Sequence, residues 1–335
     1  MNRPSLMGML PITLTLIWGC GNDVNIAGSD DTSPDGENYK QQMRDFVARL
    51  SSYARGIDAD FIVIPQNGHE LITTDGSETG SPSTTYLSAI DGVGREDLFY
   101  GYDDDNRATP TSAQNYMTAF MDIAEANDVE VLVTDYCSTP SFMDDSYAQS
   151  ATRRYISFAA DHRELDNIPT HPTVPHNVNE TNIASLADAR NFLYLLNPGD
   201  YRTKAAFVSA IQNTNYDIVI TDLFYEGKEQ LTADDMAALK IKANGGTRLV
   251  IAYMSIGEAE DYRYYWQTAW QAESPAWLAA ENPVWAGNYI VRYWDRDWQS
   301  IIYGNDDSYL RKILAAGFDG VYLDIIDAFV FFENN

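Results

Sequence analysis

The sequence predicts an α/β protein, a (β/α)8 barrel, from three observations. Eight short apolar runs are mostly separated by amphipathic helices, an alternation that makes parallel strands joined by crossover helices. Eight is the number at which a small parallel barrel closes. Nearly every run ends in a carboxylate or an amide, and in a parallel barrel those C-terminal ends converge on one mouth. An open doubly wound sheet is the alternative, but no Gly-rich phosphate loop follows any strand.

The elements follow in order. Tyr39 to Arg55 places Met43, Phe46, Val47, Leu50 and Tyr53 on one helical face. Phe61 to Ile64 is a buried-strand run, stopped by Pro65-Gln66-Asn67-Gly68. Tyr86 to Gly92 leads into Gly94-Arg95-Glu96-Asp97, a weaker strand ending in acids. A helix over 111–127 precedes the strand Val129–Val133, which ends at Asp135-Tyr136. Phe192 to Leu196 ends at Asn197, and a helix over 201–213 leads to Ile218-Val219-Ile220 and Asp222. A helix over 232–243 precedes Leu249 to Tyr253, which runs on to Gly257-Glu258. Tyr289 to Val291 ends near Asp295, and a helix over 307–316 precedes Gly320 to Leu323, which ends at Asp324 and Asp327.

Composition narrows the function. The 335 residues carry 22 Lys+Arg against 49 Asp+Glu, a formal net charge of −27 that argues against a nucleic-acid binder. With 45% hydrophobic residues the chain is no disordered acidic polymer, and its length suits one large barrel or two average domains. The acidity reads as a solvated surface or as a field that steers in a cationic partner.

Residues 1–20 read as a targeting segment: Arg3, then the apolar run Leu6–Trp18, too short to span a bilayer stably. Ile17-Trp18-Gly19-Cys20 resembles the lipobox of bacterial lipoproteins, in which Cys20 would be lipidated; an ordinary secretory signal is the alternative. Either reading puts the protein outside the cytoplasm, touching a membrane only through the lipid. Residues 21–38 read as a flexible acidic tether, and 39–335 as one domain. A Pro-rich seam at 166–185 resists helix and central strand. Its His171 and His176 stand in a Pro-rich loop without Cys or carboxylate pairs nearby in sequence, a weak metal signal, and Asp103-Asp104-Asp105 lacks the Gly and terminal Glu of a calcium loop, so no metal site is expected.

A ring of acids at a barrel mouth is costly without a task, although helix capping accounts for one or two of them. Two carboxylates across a mouth with aromatic walls are the equipment of glycoside hydrolysis. Six of the seven tryptophans fall within 266–298, where their rings serve core packing or stacking on sugar C–H faces. No G-x-S-x-G elbow or HExxH occurs, and Cys137 has no evident histidine partner in the sequence.

The segment Ile251-Ala252-Tyr253-Met254-Ser255-Ile256-Gly257-Glu258-Ala259-Glu260-Asp261-Tyr262-Arg263 resembles the signature of the glycoside hydrolase family 114 superfamily, TIM-barrel proteins related to endo-α-1,4-polygalactosaminidases. Asn288 to Asp295, Gly317 to Asp324, Pro65 to Gly68 and Gly94 to Tyr100 are similar to that family's prokaryotic branch. The resemblance implies cleavage of α-1,4-linked galactosamine polymers without a metal or organic cofactor. One departure concerns order. In the family the segment like 255–263 precedes the one like 65–68, whereas here it follows. The chain therefore resembles a circular permutant of the TIM barrel, with Asn335 near Tyr39 and the 166–185 seam joining the family's usual termini. A second departure is Tyr322, which stands where fungal-type members carry a Glu.

The reactive carboxylates expected are Asp222, Glu258 and Asp324: Asp222 as nucleophile or base, Glu258 as a general acid in aromatic surroundings, and Asp324 in either part. Arg263 and Arg292 are the candidate structural partners of these acids. Gln66, Asn67, Glu96, Asp135 and Asp295 are expected to contact sugar hydroxyls or ammonium groups. Tyr253, Arg263, Tyr293, Trp294 and Tyr322 complete the expected polysaccharide-binding set. A barrel that binds polysaccharide without cleaving it remains the alternative, and so do two separate domains over 39–165 and 186–335.

Overall fold

The computed structural model describes residues 38–334. The expected signal segment with Cys20, the tether apart from Asn38, and Asn335 lie outside the described residues. Eight parallel strands organise the rest: β1 Ile62–Pro65, β2 Gly92–Glu96, β3 Glu130–Tyr136, β4 Ile156–Ala160, β5 Phe192–Tyr194, β6 Ile218–Asp222, β7 Leu249–Ser255 and β8 Gly320–Asp324. Strands β1, β6 and β7 read as near-continuous β-branched and aliphatic runs, as strands covered on both faces do.

Five strands pair in the order β1-β8-β7-β6-β5, and three in the order β2-β3-β4. Asp91 N donates to Val63 O at 2.9 Å and Asn67 N to Gly94 O at 2.8 Å, which ties β1 to β2 across the first seam. At the second seam the Phe158 ring of β4 lies 5.6 Å from Phe192 of β5. Helices Tyr39–Arg55, Thr111–Glu125, Pro140–Thr152, Lys204–Gln212, Ala233–Leu239 and Tyr309–Ala316 fall between or beside the strands in sequence.

The strand count of eight is met with one exchange. Tyr289–Val291 is not a parallel strand: Asn288–Val291 pairs antiparallel with Glu258–Glu260 and Leu278–Glu281 in a small sheet of its own. Its place is taken by β4, which follows the unforeseen helix Pro140–Thr152. That helix is rich in Ser, Asp and Gln and shows little apolar periodicity, so a reading based on helical period passes over it. The residues around Tyr86 form a short helix, Thr84–Leu87, and the strand begins only at Gly92.

Two anchors fix the layers. Asn38 Oδ1 accepts from Gln41 N at 2.7 Å and starts helix Tyr39–Arg55, whose Met43, Phe46, Val47 and Leu50 are buried. Tyr39 also meets the last helix: its ring lies 5.5 Å from Phe332, and its carbonyl accepts from Tyr293 Oη at 2.8 Å. At the strands' N-terminal ends a fully buried pair, Lys242 with Asp217 at 3.0 Å, holds the Pro-rich segment. Asn179 donates to Asp217 at 2.8 Å while its carbonyl accepts from Lys242 at 3.1 Å. Among the described residues no helix is long and apolar enough to cross a membrane.

Candidate active site at the C-terminal strand ends

Strand alternation sends every second side chain to the same face. On β8 this aligns Tyr322 with Asp324, and on β7 Tyr253 lies level with Tyr322 on one side and Asp222 on the other. Tyr253 Oη donates to Asp324 Oδ2 at 2.7 Å, and Ile325 N donates to Oδ1 at 2.8 Å. Burial raises the Asp324 carboxyl to about 8, helped by nearby Glu96 and opposed by the tyrosine hydrogen bond. Asp324 as a residue is half-buried.

Glu96, at the end of β2, accepts from Asn67 Nδ2 at 2.9 Å and from Tyr136 Oη. Tyr194 Oη on β5 donates to Gln66 Oε1 at 3.0 Å. Arg163, just beyond β4, completes this side. Its guanidinium lies 3.9 Å from the Tyr136 ring centroid and grips both oxygens of Asp97, at 2.8 and 3.2 Å. Gly94 is required here: a Cβ on it would lie 2.0 Å from the Tyr322 hydroxyl.

The second carboxylate, Asp222, ends β6. Its Oδ2 accepts from Arg263 at 2.6 Å and its Oδ1 from Phe224 N at 2.7 Å. Burial pushes this carboxyl up as well, with Arg263 and the Phe224 N–H opposing the rise. Arg263 is itself buried and also pairs with buried Glu260, which accepts from Tyr262 Oη. Two carboxyls at the ends of β6 and β8 are thus held differently, one by a guanidinium and one by a tyrosine hydroxyl.

Glu258 lies elsewhere than on a parallel strand. It is 2% exposed in the small antiparallel sheet, and both its oxygens are taken by amides, from Asn282 at 2.7 Å and Asn288 at 3.1 Å. Burial raises it and these amides oppose. Asp135 faces away from the strand interior. Because β3 runs on to Tyr136, alternation turns Tyr136 to the side of Thr134 and sends Asp135 towards helix Pro140–Thr152. There Asp135 accepts from Phe99 N at 2.9 Å, Tyr100 N at 3.2 Å and Ser146 Oγ at 2.7 Å. Asp295 caps helix Arg296–Ile302 by accepting from Asp297 N at 2.8 Å. Tyr293 is buried and packs with Trp294 against Phe332. Arg292 donates to the carbonyl of Ala276 at 2.6 Å.

The structure therefore gathers Gln66, Asn67, Glu96, Asp222, Tyr253, Arg263, Tyr322 and Asp324 into linked contacts at the strand ends. It gives Asp135, Glu258, Tyr293, Trp294 and Asp295 contacts outside that group. Tyr136, Arg163, Tyr194 and Glu260 belong to it and were not foreseen. Glu260 could have been found, since it sits in the same motif as Glu258 and Arg263, three residues before the arginine. A surface cleft lined by Phe99, Gln114, Thr118, Gln149 and Arg153 contains none of these carboxylates.

Comparison with known proteins adds a family. Residues 178–335 match the model of glycoside-hydrolase family GH114. An uncharacterised protein of Methanocaldococcus jannaschii is 38% identical over 185 residues, 54% of this chain and 50% of that one. Uncharacterised proteins of Thermotoga maritima and Deinococcus radiodurans are 37% and 39% identical over 131 and 127 residues, 38% of each chain. The chain thus spans half the length of the first of these relatives, and less of the other two.

Proposed function

We propose that this chain belongs to family GH114 and is a glycoside hydrolase acting on an amino-sugar polysaccharide of the α-1,4-galactosamine type, with Asp324 and Asp222 as its working carboxyls. The observation that carries the reading is that two carboxyls, at the ends of strands on either side of β7, are held by different partners: a tyrosine hydroxyl at Asp324 and a guanidinium at Asp222. Asp324, raised to about 8, keeps its proton at neutral pH and acts as the general acid on the glycosidic oxygen. Asp222, ion-paired with Arg263, serves as nucleophile or as the base that activates water. Gln66, Asn67, Glu96, Tyr253 and Tyr322 line the sugar position between them. Glu258 keeps a positioning part, holding the antiparallel hairpin through Asn282 and Asn288.

In the same reading the eight strands form one closed TIM barrel in circularly permuted order. The packing of Tyr39 on Phe332 and the fixing of Asn179 to Asp217 and Lys242 support it, as does a family match that begins at 178 and takes in β5 to β8. Joining 334 to 38 and reopening the chain within 166–185 should give a protein that folds cooperatively; failure of that chain to fold would count against the permutation. The localisation proposed is extracytoplasmic, on a lipid at Cys20.

The assay is direct. Purified protein incubated with partially deacetylated galactosaminogalactan should release new reducing ends. Binding without new ends would replace hydrolysis by the polysaccharide-binding alternative, in which Asp222 and Asp324 serve recognition only.

A further inference from the structure

Most rings in the aromatic stretch 262–298 are accounted for by packing. Tyr265 packs on Trp298, Trp270 on Trp277, and Trp266 on Tyr289. Tyr264 packs on Phe224 and Tyr309, and its hydroxyl donates to the Asp307 carbonyl at 3.0 Å. Tyr262 differs. Its side chain is 47% exposed, yet its hydroxyl is tied down to Glu260, a carboxylate that is only 2% exposed. One edge of the ring abuts Gly227, where an added Cβ would lie 3.0 Å from Cδ2. The Arg263 guanidinium stands 5.1 Å from the ring centroid and reaches on to Asp222 at 2.6 Å.

A ring fixed at its far end, with about half of the residue exposed, has already lost the freedom that binding would otherwise cost. Tyrosine provides a wide, stiff contact surface at low conformational cost. The segment bearing it leaves the C-terminal end of β7, the side of the strands on which barrel ligands bind. We propose that Tyr262 is a sugar-stacking platform: the C–H face of a pyranose ring, in the polysaccharide chain held across Asp222, lies on its exposed ring. The claim rests on the hydrolase reading for the identity of that chain. It adds a subsite that touches substrate without touching the reacting atoms.

The packing also predicts how the hydroxyl and the ring divide their work. The hydroxyl orients the ring through Glu260, while the ring supplies the contact. Gly227 leaves that ring edge uncrowded; its φ of +66° also suits glycine. A platform therefore loses little when Tyr262 becomes Phe and much when it becomes Ala.

The test uses the full chain, Tyr262→Phe and Tyr262→Ala, titrated calorimetrically with partially deacetylated α-1,4-galactosamine oligosaccharides and assayed for reducing ends. The expected result is Tyr262→Phe binding within about twofold of the wild type and Tyr262→Ala about tenfold more weakly, the scale of one aromatic contact. The loss should appear in KM with kcat nearly unchanged. Three results would overturn the platform while leaving hydrolysis standing. These are wild-type affinity in Tyr262→Ala, equal losses in Phe and Ala, or a fall confined to kcat with an altered pH profile. The last two would make Tyr262 a support for Glu260, Arg263 and Asp222. A wild-type chain that neither binds nor cleaves the oligosaccharide would overturn the platform and the hydrolase reading together.

Discussion

Asp324 offers a test in which stability and activity move in opposite directions. Its carboxyl rises from 3.8 to about 8, first through burial and then through Glu96. Between those two values the folded protein holds a proton that the unfolded chain releases. Stability therefore falls as pH rises from about 4 to about 8, the reverse of an ion-paired aspartate. At 1.36 kcal/mol per pH unit the full span amounts to a penalty on the order of 5 kcal/mol above pH 8. That is a ceiling, because the half-buried Asp324 relaxes towards solvent. Asp324→Asn keeps the shape and the Tyr253 contact but has no proton to lose. Urea unfolding at pH 5 and pH 8.5 should show the wild type losing several kcal/mol more than the variant over that interval. Activity should meanwhile drop by a factor of about 10² to 10⁴, the usual worth of a general acid. If the variant's stability follows the wild type's across the same pH range, the Asp324 carboxyl is not held protonated by the fold. The acid assignment then fails with it.

Other consequences are reached by simpler measurements. Lys242→Met leaves the Asp217 carboxylate fully buried without its cation and should cost about 3–5 kcal/mol in a urea melt, with specific activity of the folded fraction unchanged. Gly94→Ala forces a methyl against the rigid Tyr322 ring and should cost about 1–3 kcal/mol by thermal unfolding. Asp222→Asn should lower kcat about 100-fold or more while the chain still binds polymer. With a formal net charge of −27, binding of an amine-bearing polymer should weaken from low to high salt, and binding indifferent to ionic strength would return the acidity to a plain solvated surface.

The sequence makes the parallel strands legible where burial on both faces leaves an unbroken apolar run, as in Ile218–Ile220 and Leu249–Tyr253. It misleads at Tyr289–Val291, part of the strand Asn288–Val291, where two half-buried residues precede two buried ones in an antiparallel ladder that looks the same in composition. It hides β4, because Ile156-Ser157-Phe158-Ala159-Ala160 is diluted by small residues. At the site, strand-end acids are readable from position alone, and Asp222 and Asp324 are found that way. Which face an acid takes depends on where the strand stops. Three extra residues in β3 turn Asp135 outward and bring Tyr136 in. Glu258 and Glu260 share one motif and an alternating strand, but only the contacts separate the hairpin clamp from the partner of Arg263.

The central claim is that two carboxyls with different partners, Asp324 beside Tyr253 and Asp222 beside Arg263, cleave a glycosidic bond at these strand ends. The measurement that reaches it most directly is kcat/KM against pH on partially deacetylated galactosaminogalactan, taken for the wild type, Asp222→Asn and Asp324→Asn. The account predicts release of reducing ends by the wild type with an alkaline limb near pH 8, set by Asp324, and its near-abolition in both variants. Wild-type rates in either variant, or a profile flat from pH 5 to pH 9, would contradict it.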